Sequence, residues 1–310
     1  DVMNKCPVTY EPCEGKYAQN GLKLISRNLT ALHDLSYSAE EQRHEAAKRA
    51  TRMSIQGVQP KLSAVLRIQQ SRFEIVDIKG KFIIKPQHHI YPQLPENEDL
   101  TMKMASKCGI DVPIHGMVYS RDGTLSYFIK RYDRAGKNSK LHVEDFAQLA
   151  GEKRETKYDY SVEKIIRLID EHCTFPQLEK IKFFKRFLFN FLVGNEDMHL
   201  KNYSIISRND KIELSPAYDL LNTSIVLGKD VEESALTLKG KKKNLSKDNL
   251  INYLGSERLR LNRTVIDSTL HALRNAIPSW LGLIDHSFLT QDLKDDYKEL
   301  LEKRIQLLEL

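Results

Sequence analysis

The segment Asn195-Glu-Asp-Met-His-Leu-Lys-Asn202 sets Asp197 and Asn202 five residues apart. That D-x-x-x-x-N spacing serves phosphoryl transfer: the carboxylate accepts the proton of an incoming hydroxyl, and the amide oxygen reaches a Mg²⁺ ion. Such chemistry needs a second, anionic metal ligand that bridges the phosphates. Asp219, in Pro216-Ala-Tyr-Asp-Leu220, follows one short hairpin later and has the type and order for it. Asp197 is therefore the candidate base, and Asn202 and Asp219 the candidate metal ligands. Taken singly, Asp197 also reads as a solvated loop acid or a helix cap, and Asn202 as a turn former. Lys201 could screen the charge of the transferred phosphate, or be a surface lysine. His199 could be a metal ligand beside Asp197, but Mg²⁺ prefers oxygen donors. It is better read as support for the loop at the cofactor site.

Upstream, Ser54-Ile-Gln-Gly-Val-Gln-Pro-Lys61 precedes a run of strands. Ser54, Gly57, Val58, Gln59 and Lys61 could cover phosphates with backbone N–H groups and an ammonium. One glycine alone is weak support, and the downstream loop strengthens it. Lys85 lies on the third strand after this loop, where a kinase places the lysine that meets the α- and β-phosphates. The competing role is a strand-end charge, since Pro86 follows. Glu98 is the candidate to hold Lys85, and Glu96 competes for that role. Arg131-Tyr-Asp133 follows the last strand of the β-rich half, where the chain should cross between lobes. Backbone groups of Lys130 and Tyr132 could meet adenine there, and Asp133 the ribose.

The elements that must position these residues can be read from periodicity. The first fifty residues are mixed and polar, ending in a charged helical stretch over Ala39–Lys48. Leu62–Ile68, Phe73–Ile78 and Lys81–Pro86 read as strands separated by turns at Gln70-Ser71 and Lys79-Gly80. Glu96–Lys107 reads as a helix with Gly109 as its stop. Ile114–Tyr119 and Leu125–Ile129 read as two more strands, joined by Arg121-Asp-Gly123. Beyond Asp133 the apolar spacing predicts helices over Val143–Ala150, Val162–His172 and Leu178–Val193, and again from Lys247 onward. A hairpin, Tyr203–Ile206 and Ile212–Leu214 around Arg208-Asn-Asp210, interrupts them. The division expected is a β-rich lobe over residues 1–132, carrying the Gly-rich loop, and a helical lobe over 133–310, carrying the catalytic loop.

The chain has 310 residues, 41% hydrophobic and 29% charged, enough for one large domain or two lobes. Asp1–Gly15 has no apolar core of a signal peptide, and Phe183–Val193 is too short and too polar to span a bilayer. A soluble, cytoplasmic protein without a membrane partner is the expectation. Cys6, Cys13, Cys108 and Cys173 form no C-x-x-C pair and read as free or buried thiols in a reducing compartment. A net charge of +6 suits nucleotides but is too small to argue direct contact with nucleic acid. The basic run Lys239-Gly-Lys-Lys-Lys243 has no interleaved aromatic residues and reads as a solvated loop.

The motifs, taken in order, resemble the HipA family of bacterial toxin kinases. They are Ser54–Lys61, Phe82-Ile-Ile-Lys-Pro86, Asn97-Glu98, Arg131-Tyr-Asp-Arg134, His142–Gly151, Asn195–Asn202 and Pro216–Leu220. The chain is shorter than a full-length HipA. It resembles the HipT type of three-gene HipBST systems, where a separate small protein supplies an N-terminal part. The resemblance implies an α+β, two-lobed Ser/Thr kinase of phosphatidylinositol-kinase-like fold, using ATP and Mg²⁺. It also implies Asp197 as base, Asn202 and Asp219 as metal ligands, Lys85 as the phosphate lysine and Ser54 as an autophosphorylation site. Some relatives carry two serines in that loop, whereas here Gly57 takes the second position. An aminoacyl-tRNA synthetase is the implied substrate, with translation arrest the outcome. A helix-turn-helix antitoxin and a small HipS-like protein are the implied partners, and nucleic acid would be met only through the antitoxin.

Three other readings share some of these residues. A small-molecule kinase also uses D-x-x-x-x-N. A silent nucleotide-binding module of a repressor complex would have no use for the base. A metal-dependent hydrolase built from Asp197, His199 and Asp219 would leave Lys85 unexplained.

Overall fold

The computed structural model describes residues 3–50, 59–136, 139–152, 158–228 and 232–310. They fall into two compact units. The first is Asp1–Leu100 with Pro113–Asn138 and His286–Leu289, and the second is Thr101–Val112 with Ser139–Asp285 and Thr290–Leu310.

The first unit opens with a small antiparallel pair, β1 (Asn4–Lys5) and β2 (Pro12–Cys13), and two helices, α1 (Gln19–Ile25) and α2 (Ala39–Arg49). α2 starts where Ser38 and Glu41 exchange hydrogen bonds in a capping box, which satisfies two otherwise orphaned N–H groups. Its centre is a five-stranded antiparallel sheet of β3 (Leu62–Arg67), β4 (Arg72–Ile75), β5 (Phe82–Lys85), β6 (His115–Tyr119) and β7 (Leu125–Lys130), in the order β4-β3-β5-β7-β6. Leu62, Ala64, Phe73, Phe82, Ile84 and Phe128 are buried in one core with Leu22, Ile25 and Leu29 from α1 and the loop after it. The Phe73 ring lies 5.1 Å from those of both Phe82 and Phe128. Between β4 and β5 the chain passes so close to β3 that a Cβ on Gly80 would sit 1.8 Å from Ser63 Oγ, and a larger residue there requires the Ser63 side chain to move. Lys85 ends β5, in register with Tyr127 on β7.

Helix α3 (Leu94–Lys107) begins in the first unit and ends in the second. Glu96, Asn97, Glu98, Asp99, Leu100, Thr101, Met102, Met104 and Ala105 along it are all buried. A helix buried around most of its circumference needs a partner for each charge it carries. A two-residue strand, β8 (Arg134–Ala135), closes the first unit.

The second unit contains β9 (Ser139–Lys140), β10 (His142–Asp145), α4 (Phe146–Leu149), α5 (Val162–His172) and α6 (Pro176–Leu192). They are followed by β11 (Ser204–Arg208), β12 (Lys211–Leu214), α7 (Ser224–Leu227), a π-helical stretch at Asp248–Arg258, α8 (Arg263–His286) and α9 (Gln291–Leu308). β10, β11 and β12 form an antiparallel sheet, with β11 in the middle. The apolar spacing over Val143–Ala150 predicts a helix, and half of that segment is instead a strand. His142–Asp145 pairs with Ser204–Ser207, and Asp145 then caps the single turn of α4 by accepting the Gln148 N–H at 2.8 Å. An eight-residue window is too short for its period to outweigh a full ladder of backbone hydrogen bonds.

Behind this sheet α6 buries Phe183, Phe184, Phe187, Leu188, Phe189, Phe191 and Leu192. Two long-range polar contacts tie in the ends of the unit. Trp280 Nε1 donates to the Met104 carbonyl at 2.7 Å, and the Tyr297 and Thr101 hydroxyls meet at 2.8 Å. All four cysteines are free and buried. Among the described residues no helix is long and apolar enough to cross a membrane.

Candidate active site

In the first unit, Lys85 Nζ donates to Glu98 Oε1 at 2.7 Å, with the two side chains 8% and 0% exposed. The ammonium also lies 5.8 Å from the Tyr127 ring centroid. Glu96, two residues earlier, is directed elsewhere: Gln87 Nε2 donates to both of its oxygens at 2.9 Å. Helix geometry separates the two acids, because residues i and i+2 do not share a face. Burial pushes the Glu96 carboxyl up to about 7, and the Gln87 amide only partly offsets this. A third buried acid on α3, Asp99, accepts the Tyr10 hydroxyl at 2.6 Å and pairs with His115 Nδ1 at 2.8 Å. The three neighbouring carboxylates thus differ in their partners: Glu96 meets Gln87, Asp99 meets Tyr10 and His115, and Glu98 meets the strand lysine.

Ser54, Gly57 and Val58 lie outside the described residues. Gln59 follows them, and its Nε2 is buried with no hydrogen-bond partner among the described residues, while Lys61 is exposed. The N–H of Lys130 is committed to the Ile114 carbonyl at 2.8 Å, so it is not the donor that a base would meet. Tyr132 is partly buried. Asp133 accepts two hydrogen bonds from the Arg131 guanidinium, at 3.0 and 2.8 Å. Burial alone would raise its pKa, but the Arg131 hydrogen bonds and the nearby Arg131 and Arg134 charges hold it below the usual range.

In the second unit, the loop after α6 folds back on itself. Asn202 Nδ2 donates to the Asp197 carbonyl at 2.8 Å, and the His199 N–H donates to the same carbonyl at 2.9 Å. The amide nitrogen of Asn202 is thereby spent on the loop, which leaves its oxygen as the donor atom toward a cation. His199 is buried, and its Nδ1 accepts the Lys201 N–H at 3.2 Å, so one side of the imidazole is already engaged in the loop. Lys201 is partly exposed. Asp219 has a left-handed backbone, φ +53°, which aspartate and asparagine tolerate better than other non-glycine residues. Its neighbour Tyr218 fixes its place: the Tyr218 hydroxyl donates to the Lys201 carbonyl at 2.9 Å and meets Ser204 Oγ at 2.5 Å. Asn202 offers an amide oxygen and Asp219, beside the anchored Tyr218, a carboxylate, and both are the oxygen type that a hard divalent cation takes.

The base of the loop is clamped from the C-terminal side. Gly194, at φ +68°, offers its carbonyl to the N–H groups of Thr223 and Ser224 at 3.0 and 3.2 Å. The Glu196 N–H donates to Thr223 Oγ1 at 2.8 Å, and its carboxylate accepts Ser224 Oγ at 2.5 Å. Arg304 on α9 donates to the Phe191 carbonyl at 3.1 Å and stands 4.0 Å from the same carboxylate. Beside the loop, the Tyr158 hydroxyl donates to Asp197 Oδ1, and its ring meets the His199 ring edge-on at 5.0 Å.

Sequence reasoning names Lys85, Glu98, Asp197, Asn202 and Asp219. It misses Tyr158, Tyr218, Gln87, Thr223, Ser224 and Arg304. Nothing local marks these residues: Tyr158 is 39 positions from Asp197, and Arg304 is 113 from Phe191.

Comparison with known proteins shows the family and the fold. The HipA-like C-terminal domain family matches residues 53–281. A Haemophilus influenzae protein named "Putative kinase" is 30% identical over 239 residues, covering 72% of this chain and 69% of that protein. The Shewanella oneidensis "Serine/threonine-protein kinase toxin HipA" is 29% identical over 194 residues, covering 56% of this chain and 44% of that protein. The chain therefore spans less than half of that toxin and about two thirds of the Haemophilus protein. Among solved structures, the HipA–HipB–operator DNA complex of Shewanella oneidensis aligns over 90% of this chain and 74% of its own, with a TM-score of 0.69 at 23% identity. The fold is accordingly the two-lobed kinase-like one, and the chain belongs to the HipA-like kinase family.

Proposed function

We propose that this chain is an ATP- and Mg²⁺-dependent protein serine/threonine kinase acting as a bacterial toxin of the HipT type. The observation that carries this reading is the closed Asp197–Asn202 loop, in which the asparagine amide nitrogen is tied to the Asp197 carbonyl at 2.8 Å. That bond ties the two ends of the loop together and supports a reading in which the Asp197 carboxylate and the Asn202 amide oxygen serve phosphoryl transfer.

In this reading the acceptor hydroxyl gives its proton to Asp197 as its oxygen attacks the γ-phosphorus, and ADP leaves. Lys85, oriented by Glu98, meets the α- and β-phosphates. Gln59, with its unsatisfied Nε2, and Lys61 contribute donors to the phosphate-covering loop together with Ser54, Gly57 and Val58. Magnesium, held by Asn202 and Asp219, would offset the charge of the phosphate oxygens. Lys201 lies beside the transferred phosphate, and His199 supports the loop from within. Tyr132 and the Lys130 carbonyl flank the adenine, with Asp133 toward the ribose.

Ser54 is the autophosphorylation site. Phosphate there adds roughly two negative charges and opposes the binding of ATP phosphates. The protein substrate is an aminoacyl-tRNA synthetase, whose phosphorylation arrests translation in the bacterial cytoplasm. A helix-turn-helix antitoxin and a small HipS-like protein are the partners, and DNA is met through the antitoxin. Shewanella oneidensis HipA, solved with HipB and operator DNA, supports the antitoxin part of this reading.

The test is the purified chain with Mg²⁺ and γ-labelled ATP, alone and with a panel of aminoacyl-tRNA synthetases, beside Asp197→Gln. Label on Ser54 or on one synthetase, lost in the variant, is the expected result. Nucleotide binding with no transfer to any protein would overturn it.

A further inference from the structure

Tyr158 touches the candidate base, yet no role in the reading above uses it. Its hydroxyl donates to Asp197 Oδ1, while its ring stands edge-on to His199 at 5.0 Å. We infer that Tyr158 is a positioning residue for Asp197, holding its carboxylate in the orientation in which it takes the proton of the acceptor hydroxyl. The inference rests on the kinase reading and deepens it.

The hydrogen bonds of the loop divide into two sets. Asn202 Nδ2 and the His199 N–H both hold the backbone carbonyl of Asp197 and leave its side-chain torsions unconstrained. The Tyr158 bond acts on the carboxylate itself. A neutral hydroxyl donating to a carboxylate makes a strong, charge-assisted bond. With Oδ1 bonded to Tyr158, the side-chain torsions of Asp197 are restrained and the carboxylate is held in one orientation. General-base catalysis needs a carboxylate oxygen within hydrogen-bond reach of its proton, and small misplacements are costly. Burial, together with the Asp197 charge, pushes the Tyr158 phenol well above its ordinary value, so the group remains a donor at neutral pH.

The tyrosine is held where a brace should be. Tyr160 offers its carbonyl to the Thr237 N–H at 3.3 Å, and the Val162 N–H donates to the Thr237 carbonyl at 2.9 Å. Ser161 between them caps α5 through the Lys164 N–H. The chain two residues after Tyr158 is thus locked to the body of the second unit. On its other side the ring rests on His199, which is itself bonded into the loop by the Lys201 N–H. The hydroxyl bond and the ring contact of Tyr158 therefore both fall on the loop that carries the base.

The experiment measures single-turnover self-phosphorylation with γ-labelled ATP and Mg²⁺ in wild type, Tyr158→Phe, Tyr158→Ala and Asp197→Asn, with the ATP concentration at half-saturation and the melting temperature of each. Tyr158→Phe keeps the ring against His199 and deletes only the hydroxyl. The expected result is a transfer rate constant lower by roughly 10- to 100-fold, with half-saturation by ATP and melting temperature close to wild type. An unchanged rate in Tyr158→Phe, with a slow Tyr158→Ala, would assign the residue to packing and overturn the inference. A faster Tyr158→Phe would overturn it too, marking the hydroxyl as a stand-in that occupies the acceptor position. If wild type itself shows no Asp197-dependent label, the kinase reading fails and takes this inference with it. Label in wild type with an unaffected Tyr158→Phe sinks the inference alone.

Discussion

The two units hold their candidate catalytic charges in different ways. In the first, Lys85 and Glu98 sit on regular elements, the end of β5 and the first half of α3, and are almost wholly buried against each other. In the second, Asp197 and Asp219 sit on irregular backbone and are only partly buried. They are held by backbone groups and by neutral side chains, Asn202, Tyr158 and Tyr218. Buried opposite charges depend on each other, so fold and chemistry are coupled in the first unit. The loop acids keep access to water and can be altered with less damage, so chemistry and fold are nearly separable in the second.

The largest effect should come from the loop. Asp197→Asn is expected to slow self-phosphorylation by roughly 10²- to 10⁴-fold, while the urea midpoint moves little. A large loss of stability in that variant would break the contrast. Glu98→Ala, by contrast, should lower stability as well as activity. It removes the carboxylate bonded to the buried Lys85 ammonium, at a cost of about 3–5 kcal/mol, read from urea unfolding.

Glu96 sharpens the comparison through pH. Its folded pKa is about 7, against an ordinary 4.5, and burial is the main cause. Below about pH 4.5 both the folded and unfolded chains keep this proton. Between about 4.5 and 7 the unfolded chain releases it first, so stability falls as pH rises through that window and then levels off. The loss is up to roughly 3 kcal/mol on the scale of 1.36 kcal/mol per unit. Glu96→Gln should remove it, raising the urea midpoint at pH 8 but not at pH 4.5. An equal shift at both values would refute this account.

The smallest effect expected is at the foot of the catalytic loop. A Cβ on Gly194 would lie 2.2 Å from Leu300 Cδ2, at a φ of +68°. Gly194→Ala should cost about 2 kcal/mol and slow transfer as well, because the clamp positions Glu196 beside Asp197. Full activity at normal stability would show that the clamp is not needed.

How far the sequence reaches follows the same division. The Asp197–Asn202 spacing and the hairpin before Asp219 are local patterns, so they can be read directly. The hairpin turn falls at Asn209 and Asp210, both at positive φ, which agrees with the turn expected from their types. The choice between Glu96 and Glu98 depends on the phase of α3 relative to β5, which a count of residues does not provide. Val143–Ala150 misleads because its apolar spacing suits a helix, while its first half is claimed by β11. Tyr158, Tyr218 and Arg304 reach the loop from distant positions, and hydroxyl or guanidinium groups of this kind look like any surface residue until the chain is folded.

The left-handed backbone at Asp219 has a consequence for how this chain could drift. Asparagine accepts the same conformation, and a single base change converts an aspartate codon to an asparagine codon. On the proposed reading, Asp219→Asn would therefore keep the left-handed backbone while weakening the grip on the cation. Loss of Lys85 or Glu98 would be purged as misfolding. A lineage relieved of the need to transfer phosphate has a one-step path here toward an intact protein that no longer acts.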